Sequence, residues 1–370
     1  MTSSKNTKIL HIIDSLAPGG AERLLTEMLP RLNTSLLQVD VLMLDGTSYP
    51  FLEELRACPS VTIYFLGKKA IYNPILILKI MPFLKKYELV HVHLFPALYW
   101  VALAKILSGT RTKLIYTEHS TTNRRRNSPF LTIVDKFIYR RYSKIITIST
   151  EVKLALIKHL KLKSSRFVTI ANGVDLYKIQ KAVAADREEF TSVATEKIII
   201  QVSRFTSQKD QETLIRAIPF INKPVKLLLV GKGETMAEMK MLVNSLELEE
   251  KVIFLGIRMD VIRLLKMADV AVLSSNYEGL SLSGLEAMAS GTPLVASNVP
   301  GLSNLVYGAG ILFAHKEETD LATKINRLFK DMAYYEQISK SCIVRAKKYS
   351  IESMVDSHFK LYSQLCKEKN

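Results

Sequence analysis

Two glutamates eight residues apart are the most specific candidates for a binding site in this sequence of 370 residues. Glu278 follows the apolar run 268–274 and is therefore predicted to lie in a loop after a strand. Glu286 lies among apolar residues of the helical stretch that follows, where a carboxylate needs a partner. The loop from Leu280 to Ser283 presents backbone N–H groups that suit an anion. The segment therefore indicates a polar site for an anionic ligand.

Two cations follow a strand earlier in the same half of the chain. Arg204 and Lys209 come directly after the apolar run 196–203. Ligands bind at the carboxyl edge of a parallel sheet, and both side chains are predicted to lie there. Arginine binds phosphate oxygens bidentately and lysine adds a point charge, so the pair suits a phosphorylated ligand. The alternative interpretation is an ordinary solvated loop.

Glycines follow two other strands. Gly19 and Gly20 come after the first strand, where they permit a tight turn and expose N–H groups at a helix start. An ordinary strand-to-helix turn is the alternative there. Gly231 opens the segment 231–236, which resembles a dinucleotide fingerprint, but Met236 replaces its third glycine. We therefore interpret Gly231 as part of a turn that lines a cleft.

Histidines at strand positions are the last candidates. His91 and His93 share one face of a strand, but the sequence places no third metal ligand beside them. We therefore interpret them as core or cleft-lining residues and predict no metal site. His119 ends another strand, where it could bind or polarise a substrate.

The elements that position these residues form two similar series. Short apolar strands alternate with helices along each half of the chain, which is typical of a parallel sheet covered on both faces. The pattern predicts an α/β chain with two doubly wound Rossmann-like domains. The predicted strands cover 8–13, 38–44, 61–66, 88–94, 113–118, 144–149 and 166–171 in the first half, and 196–203, 225–231, 251–256, 268–274, 292–297 and 310–313 in the second.

The turn-forming residues around Asn172 predict the domain boundary. We expect one domain over 1–172 and a second over 173–351. The polar segment 181–196 is interpreted as a surface linker. The last amphipathic segment, about 352–366, is predicted to be a helix with no strand after it.

The net charge of +16 is concentrated in the first half. Residues 1–172 hold 25 Lys and Arg against 11 Asp and Glu, whereas residues 173–370 hold 26 against 24. This asymmetry predicts an anionic partner for the first half. The cluster Arg124-Arg125-Arg126, with Arg140 and Arg141, is read either as a solvated face or as a contact with an anionic membrane. No nucleic-acid motif is present, so we expect no nucleic-acid partner.

Cysteine usage and hydropathy predict the compartment. The three cysteines show no Cys-x-x-Cys spacing, which fits a reducing environment. No apolar run of about eighteen residues is found, and the first residues lack the pattern of a signal peptide. We therefore expect a cytoplasmic protein. The basic first half adds the expectation that it is peripheral on the inner face of the membrane.

Taken together, these motifs resemble family 4 of the retaining glycosyltransferases. The resemblance runs along nearly the whole chain, and its decisive part is the Glu-x7-Glu pattern of Glu278 and Glu286. It implies the GT-B fold, in which two Rossmann-like domains face each other across a cleft. The other matching segments are Gly19-Gly20-Ala21-Glu22-Arg23, Val90-His91-Val92-His93, Thr117-Glu118-His119, Asn172-Gly173-Val174-Asp175, Val202-Ser203-Arg204 with Lys209, Gly231-Lys232-Gly233-Glu234 and Phe254-Leu255-Gly256.

The resemblance also implies roles for the second-half residues. Arg204 and Lys209 match the pair that holds the donor diphosphate. Glu286 matches the carboxylate that binds the ribose hydroxyls, and Glu278 matches the carboxylate that contacts the donor sugar. The backbone of Leu280, Ser281, Leu282 and Ser283 is implied to meet the diphosphate or the sugar.

In the first half, Gly19 and Gly20 are implied to let the loop approach the donor phosphate. His119 matches a histidine near the transferred sugar. The C-terminal helix of this fold often packs back on the first domain. The loop Ser281-Leu282-Ser283-Gly284 departs from the proline or glycine that many members carry there, which leaves the identity of the donor open.

The implied activity is a retaining hexosyl transfer. A UDP- or GDP-linked sugar would be the donor, a lipid-linked or polysaccharide acceptor would receive the sugar, and neither a metal nor another cofactor is expected. A sugar-nucleotide epimerase of the same fold is one alternative. A non-catalytic basic module that binds nucleic acid or a membrane is another, and it would show a steep dependence on salt.

Overall fold

The computed structural model describes residues 7–121 and 124–367. The chain divides into two compact units. Unit 1 consists of Met1–Gly173 and Ile351–Asn370, and unit 2 consists of Val174–Ser350. The C-terminal helix therefore belongs to unit 1, although in the sequence all of unit 2 lies between this helix and the rest of unit 1.

Unit 1 contains a seven-stranded parallel sheet in the order β3-β2-β1-β4-β5-β6-β7. The strands are β1 (Thr7–Ile13), β2 (Leu37–Met43), β3 (Ile63–Phe65), β4 (Leu89–His93), β5 (Lys113–Glu118), β6 (Lys144–Thr147) and β7 (Phe167–Thr169). The helices are α1 (Gly20–Leu32), α2 (Pro50–Arg56), α3 (Ile75–Leu84), α4 (Ala97–Ser108), α5 (Pro129–Tyr139) and α6 (Thr150–Leu160), with α15 (Ile351–Lys367) from the end of the chain.

Unit 2 contains a six-stranded parallel sheet in the order β10-β9-β8-β11-β12-β13. The strands are β8 (Lys197–Val202), β9 (Val225–Val230), β10 (Val252–Gly256), β11 (Val270–Leu273), β12 (Leu294–Ser297) and β13 (Ile311–Phe313). The helices are α7 (Leu176–Lys181), α8 (Gln211–Ala217), α9 (Met236–Ser245), α10 (Val261–Met267), α11 (Leu282–Ala289), α12 (Leu302–Val306), α13 (Glu318–Lys330) and α14 (Met332–Ala346).

Both sheets are covered on two faces, which explains their continuous apolar strands. In β8, Ile198 and Ile200 belong to one hydrophobic cluster of unit 2, and Ile199 between them belongs to the other. Local signals set the helix boundaries. The Ser128 hydroxyl accepts from the Leu131 amide (3.4 Å) at the start of α5, and Gly109 ends α4 in the left-handed region, at φ +61°.

Both strand orders contain a point where the order reverses. In unit 1 the first strand of the series, β1, lies beside β4, and in unit 2 the corresponding strand β8 lies beside β11. Ligands of doubly wound folds bind outside the carboxyl ends of the two strands at such a point. The prediction of two doubly wound α/β units is confirmed, with strand ends that differ by one or two residues.

The segment 181–196 lies on the surface, as predicted, but the interpretation of it as a linker is wrong. This segment belongs to unit 2 and is held against it by specific hydrogen bonds. The Ala185 amide donates to the Arg263 carbonyl (3.0 Å), and the Arg187 guanidinium binds the Asp269 carboxylate (3.0 Å) and the Met267 carbonyl (3.0 Å). The polar composition reflects an irregular segment that hydrogen-bonds to its own unit. Among the described residues, no helix is both long and apolar enough to cross a membrane.

Candidate functional site

The residues of the second half meet at the strand-order reversal of unit 2. Arg204 and Lys209 lie in the loop after β8, and Glu278 lies in the loop after β11. Because β8 and β11 are paired neighbours, both loops leave the sheet at the same edge. The predicted diphosphate-binding cations and the predicted sugar-binding carboxylate are therefore brought to one place by the order of the strands.

A salt bridge joins the two loops directly. The Lys209 ammonium donates to Oε1 of Glu278, and the Ser275 hydroxyl donates to the same oxygen (2.7 Å). Glu278 is buried, and Lys209 is largely buried. A buried carboxylate is stable only with such partners. Lys209 and Glu278 thus neutralise each other across 69 residues of sequence.

Hydrogen bonds to backbone carbonyls hold these loops in register. The Asn276 amide donates to the Gln208 carbonyl (2.7 Å), and the Gln208 side chain donates to the Tyr277 carbonyl (2.9 Å). The buried Ser274 hydroxyl lies 3.2 Å from the Lys209 carbonyl oxygen and 2.6 Å from that of Asp210. The site is therefore supported by polar groups of both loops, as a preorganised binding site requires.

Two glycines permit close backbone approaches beside the site. Gly231 has φ +135°, and a Cβ there would lie 2.0 Å from the Ser203 carbonyl oxygen. Gly301 has φ +89°, and a Cβ there would lie 2.2 Å from the Glu278 carbonyl oxygen. No other residue type fits either position without moving the backbone. Gly231 therefore packs the loop after β9 against the loop that carries Arg204.

The helix α11 begins within the predicted donor loop. The Ser281 hydroxyl accepts from the Gly284 amide (3.2 Å) and caps the helix, while Leu282 and Ser283 form its first turn. Glu286 is buried on this helix, one turn further along. Leu280, which precedes the cap, is partly exposed. The helix N-terminus thus follows the loop of Glu278, where an anion is electrostatically favoured.

His119 follows β5 in unit 1, away from the residues above in sequence. Burial lowers the pKa of His119 to about 4, so the imidazole is neutral at pH 7. Its Nε2 is buried and has no hydrogen-bond partner among residues 7–121 and 124–367. The side chain lines a small cavity within unit 1. Other residues that line this cavity are Leu24, Leu25, His93, Thr117, Asn172 and His358.

The predicted first-half loop lies at the strand-order reversal of unit 1. Gly19 precedes α1 in an extended conformation and Gly20 is its exposed first residue. The sequence interpretation missed Asp14, which is buried at the end of β1 and accepts from the Ala97 amide (3.0 Å). Burial, with a smaller contribution from Glu22, raises the pKa of Asp14 to about 7. A carboxylate directly after a strand and before a glycine pair was the signal in the sequence.

Arg125 and Arg126 do not belong to a free basic surface, and both interpretations offered for the arginine cluster are wrong for these two residues. The Arg125 guanidinium binds the Asp135 carboxylate (3.4 Å) and lies 4.4 Å from the centre of the Phe95 ring. Arg126 binds the Glu118 carboxylate (3.3 Å). These two side chains therefore serve buried internal ion pairs. The side chain of Arg124 lies outside the described residues.

A chain of hydrogen bonds links three histidines of the sheet to α15. The His91 ring contacts the Thr117 hydroxyl (2.7 Å) and the Tyr362 hydroxyl (2.6 Å). Tyr362 also lies 3.3 Å from Nε2 of His11, whose Nδ1 lies 3.0 Å from Nε2 of His93. Burial lowers the pKa of all three histidines, so each ring is neutral and has one N–H donor and one acceptor nitrogen.

The structure supplies the third histidine that the sequence could not place. Ring nitrogens of His11, His91 and His93 lie within 4.8 Å of one another, which is close enough to consider a metal ion. However, both nitrogens of His91 and both of His11 already have hydrogen-bond partners in the chain described above. These rings can bind a metal only by giving up those bonds, so the arrangement favours a buried hydrogen-bond network.

Comparison with known proteins identifies the family. The model described as glycosyl transferases group 1 matches residues 183–345, and the model described as glycosyltransferase family 4 matches residues 18–178. The chain belongs to the family 4 glycosyltransferases. Its fold is GT-B, as the resemblance implied.

Two relatives and one solved structure illustrate what this glycosyltransferase is similar to. It is 26% identical over 355 residues to N-acetylgalactosamine-N,N'-diacetylbacillosaminyl-diphospho-undecaprenol 4-alpha-N-acetylgalactosaminyltransferase of Campylobacter jejuni, covering 91% of this chain and 94% of that one. It is 28% identical over 294 residues to N-acetyl-alpha-D-glucosaminyl L-malate synthase of Bacillus anthracis, covering 76% of each. Its fold superposes on Anabaena HepE in complex with UDP and glucose with a TM-score of 0.86, at 23% identity, over 97% of this chain and 100% of that one.

Proposed function

We propose that this glycosyltransferase moves a hexose from a UDP-linked donor to a lipid-linked diphosphate acceptor at the cytoplasmic face of a membrane, with retention of anomeric configuration. The observation that carries the donor side is the contact of Lys209 with Glu278 at the strand-order reversal of unit 2. It brings a phosphate-binding cation and a sugar-binding carboxylate to the position where this fold class holds nucleotides. The choice of UDP rests on HepE, and the choice of acceptor on the undecaprenol-linked relative.

Donor binding in this proposal is an exchange of partners. The diphosphate takes the Lys209 ammonium from Glu278, and Arg204 adds a bidentate contact to the phosphate oxygens. Glu278, released from Lys209, then accepts hydrogen bonds from hydroxyls of the donor sugar. Glu286 accepts from the ribose hydroxyls. The backbone from Leu280 to Ser283 contacts the diphosphate or sugar.

In unit 1, Gly19 and Gly20 leave room for a donor phosphate beside the loop after β1. The neutral His119 imidazole orients the transferred sugar through a hydroxyl. Support for this role is that its Nε2 has no hydrogen-bond partner within the described part of the chain.

The chemical step replaces one C1–O bond with another on the same face of the sugar. The bond from C1 to the leaving phosphate oxygen breaks, and a bond from C1 to the acceptor oxygen forms. The acceptor proton passes to the leaving phosphate oxygen, so no protein base is consumed. Arg204 and Lys209 stabilise the negative charge that develops on the leaving diphosphate.

We propose that no metal ion is needed, because these two cations supply the charge that a divalent ion supplies elsewhere. Excess EDTA should leave the transfer rate unchanged within a factor of about two, a margin far smaller than the loss of a catalytic metal would cause. A loss of activity that Mg²⁺ or Mn²⁺ restores would contradict this part of the proposal.

The donor site is tested by thermal shift with UDP, GDP, ADP and CMP. UDP should raise the Tm of the native protein, and Glu286→Ala and Lys209→Ala should each reduce that rise. Glu249→Ala and Lys223→Ala, at exposed positions of the same unit, are matched controls and should respond as the native protein does. A flat response of the native protein to all four nucleotides would contradict the donor site.

The reaction is tested by incubating the protein with a UDP-hexose and a polyprenyl-diphosphate sugar, and determining the product's anomeric configuration by NMR. L-Malate serves as the competing acceptor, because the name of one relative includes L-malate. A new α-linkage from an α-linked donor supports the proposal. An epimerised sugar released without acceptor would show the epimerase alternative instead.

A further inference from the structure

The helix α5 of unit 1 exposes an apolar stripe. Phe130, Ile133 and Phe137 are 71%, 67% and 47% exposed, and they are spaced at i, i+3 and i+7. At 100° per residue this spacing places them on one side of the helix. Single exposed apolar residues are common on protein surfaces, but an ordered stripe with two phenylalanines indicates a contact surface.

The opposite side of α5 is fixed, so the helix cannot turn its stripe inward. Asp135 is buried and bound by the Tyr99 hydroxyl (2.6 Å), by His159 (3.0 Å) and by Arg125 (3.4 Å). The buried Tyr139 donates to the Glu118 carboxylate (2.8 Å). Breaking buried pairs of this kind is costly, and the exposure of the stripe is therefore a stable property of the fold.

Neighbouring helices extend the apolar character. Helices α4 and α5 connect consecutive parallel strands, and right-handed crossovers place both on the same face of the sheet. α3 packs against α4, and α4 packs against α5. Ile75 and Leu78 on α3 and Leu107 on α4 are exposed. The apolar stripe is thus part of a helical layer with several exposed apolar side chains.

The charge around this layer is strongly positive. Residues 66–150 hold fifteen Lys and Arg but only three Asp and Glu. Two of those acids, Glu118 and Asp135, are buried and pair with Arg126 and Arg125. Thirteen Lys and Arg of this stretch remain outside these pairs, and Glu88 is its single exposed acid within the described residues. At the end of α5, Arg140 and Arg141 are exposed, and the Arg141 guanidinium lies 4.5 Å from the centre of the Phe137 ring.

We propose that Phe130, Ile133, Phe137, Arg140 and Arg141, hereafter the α5 surface, dock the protein onto an anionic lipid bilayer. An apolar stripe flanked by arginines lies in the plane of a membrane interface, with the apolar side chains below the headgroups and the cations at their level. Because this surface has many cations and few exposed acids, it is expected to attract a membrane with anionic lipids. This inference deepens the proposed function, because it names the surface by which the enzyme meets the membrane that presents its acceptor.

The test is co-sedimentation of the full-length protein with phosphatidylcholine vesicles, prepared with and without phosphatidylglycerol. The native protein should bind the phosphatidylglycerol vesicles. The triple variant Phe130→Ser, Ile133→Ser, Phe137→Ser should bind them at least about tenfold more weakly, because it removes the inserted apolar area. Arg140→Glu with Arg141→Glu should also weaken binding, and added NaCl should weaken binding of the native protein.

A matched control replaces three equally exposed apolar residues of unit 2. The variant Val183→Ser, Tyr307→Ser, Val344→Ser also replaces three side chains that are at least half exposed, and it should bind vesicles as the native protein does. Far-UV circular dichroism and the Tm of each variant show that the helices remain folded. The Tm rise with UDP is measured on the same samples.

Three outcomes would overturn the inference: equal binding of the α5 triple variant and the native protein, equal binding to vesicles with and without phosphatidylglycerol, and no vesicle binding by the native protein. If the triple variant instead converts a dimer to a monomer and the native protein ignores vesicles, the surface is a contact between copies of the chain. A retained Tm rise with UDP, together with lost vesicle binding, separates this inference from the proposed donor site. Failure of UDP binding with intact vesicle binding would overturn the proposed function alone.

Discussion

At the residue scale, the pairing of Lys209 with Glu278 is the most informative contact. Each side chain is the other's charged partner. In the proposed function, a donor diphosphate competes with Glu278 for the lysine. The two residues are therefore expected to affect different steps: Lys209 the binding of the nucleotide, and Glu278 the transfer of the sugar.

Glu278→Gln should separate these steps. The amide keeps the size of the side chain but loses the negative charge that draws hydroxyl protons of the donor sugar. We expect kcat to fall about 100-fold, as for removal of one preorganised polar contact, while the Tm rise with UDP persists. Steady-state kinetics and thermal shift give the two readouts, and Glu249→Gln is the control. A variant that loses UDP binding together with kcat would contradict the assignment of Glu278 to the sugar.

Gly231→Ala tests the close approach of the loop after β9 to the loop of Arg204. The added Cβ would lie 2.0 Å from the Ser203 carbonyl oxygen, and φ of +135° is unfavourable for alanine. We expect the free energy of unfolding to fall by about 3 kcal/mol, with loss of UDP binding. Denaturant unfolding measures the change.

Gly308→Ala is the matched control for backbone strain alone. Gly308 also has a positive φ, +71°, but nothing lies within 4 Å of a Cβ there. It should cost only about 1 kcal/mol. Equal effects of the two substitutions would mean that the approach to Ser203 contributes nothing.

At the element scale, α15 is attached to unit 1 through polar as well as apolar contacts. It packs against α1 and β4, and Tyr362 supplies the hydroxyl between His91 and His11. His358, which is also on α15, lines the small cavity that contains His119. The C-terminal helix therefore takes part in the polar interior of a unit whose remaining residues end at Gly173.

Tyr362→Phe should weaken this attachment. The substitution keeps the ring and removes the hydroxyl, which leaves two buried imidazole nitrogens without a partner. An unsatisfied buried group costs about 1–3 kcal/mol, so the free energy of unfolding should fall by about 2 kcal/mol or more. Tyr307→Phe, at an exposed position, is the control. An unchanged Tm for Tyr362→Phe would show that water satisfies both nitrogens at no cost.

At the scale of the whole molecule, the buried histidines predict how stability depends on pH. Burial lowers the pKa of His11 to about 3 and those of His119 and His358 to about 4, from an ordinary value of 6.5. The unfolded chain therefore binds more protons than the folded protein between about pH 4 and 6.5. The contribution of these neutral histidines to the stability of the folded protein is complete above pH 6.5. It is lost as the pH falls from 6.5 toward 4.

Asp14 acts in the opposite sense. Its pKa is raised from 3.8 to about 7, so its contribution to stability falls as the pH rises through that range. His91 and His93 add to the first group, because burial lowers their pKa values as well. Burial also raises the pKa of Asp210. Five lowered bases outweigh these two raised acids. The net effect is a rise in stability with pH.

We therefore expect the free energy of unfolding to increase between pH 5 and 6.5, by up to about 1.4 kcal/mol per pH unit for each uncompensated histidine. Urea unfolding at a series of pH values measures the slope. His119→Gln removes one of the five histidines, so it should reduce the slope of unfolding free energy against pH by the contribution of a single histidine. A stability that is flat or decreasing over this range would contradict the burial of these rings as neutral groups.

Much of the fold was predictable from the sequence because it depends on local signals. Continuous apolar strands separated by helices indicate parallel sheets wherever they occur, and the strands were found within one or two residues. The family was predictable for a related reason, since its motifs are short segments in a fixed order. The membership of segment 181–196 in unit 2 was not predictable, because a polar composition does not distinguish a free linker from a surface segment that hydrogen-bonds to its own unit.

The sequence by itself thus determined the two-unit α/β architecture, the family, and the residue types that follow each strand. Only the tertiary structure decided which of these residues meet. Strand order places β1 beside β4 and β8 beside β11, and that order brings His11 to His91 and Lys209 to Glu278. It also decided that Arg125 and Arg126 are buried in ion pairs while the stripe on α5 faces outward. These outcomes depend on contacts between distant segments, and a linear pattern of charge and hydropathy carries no information about the partner that a side chain finds.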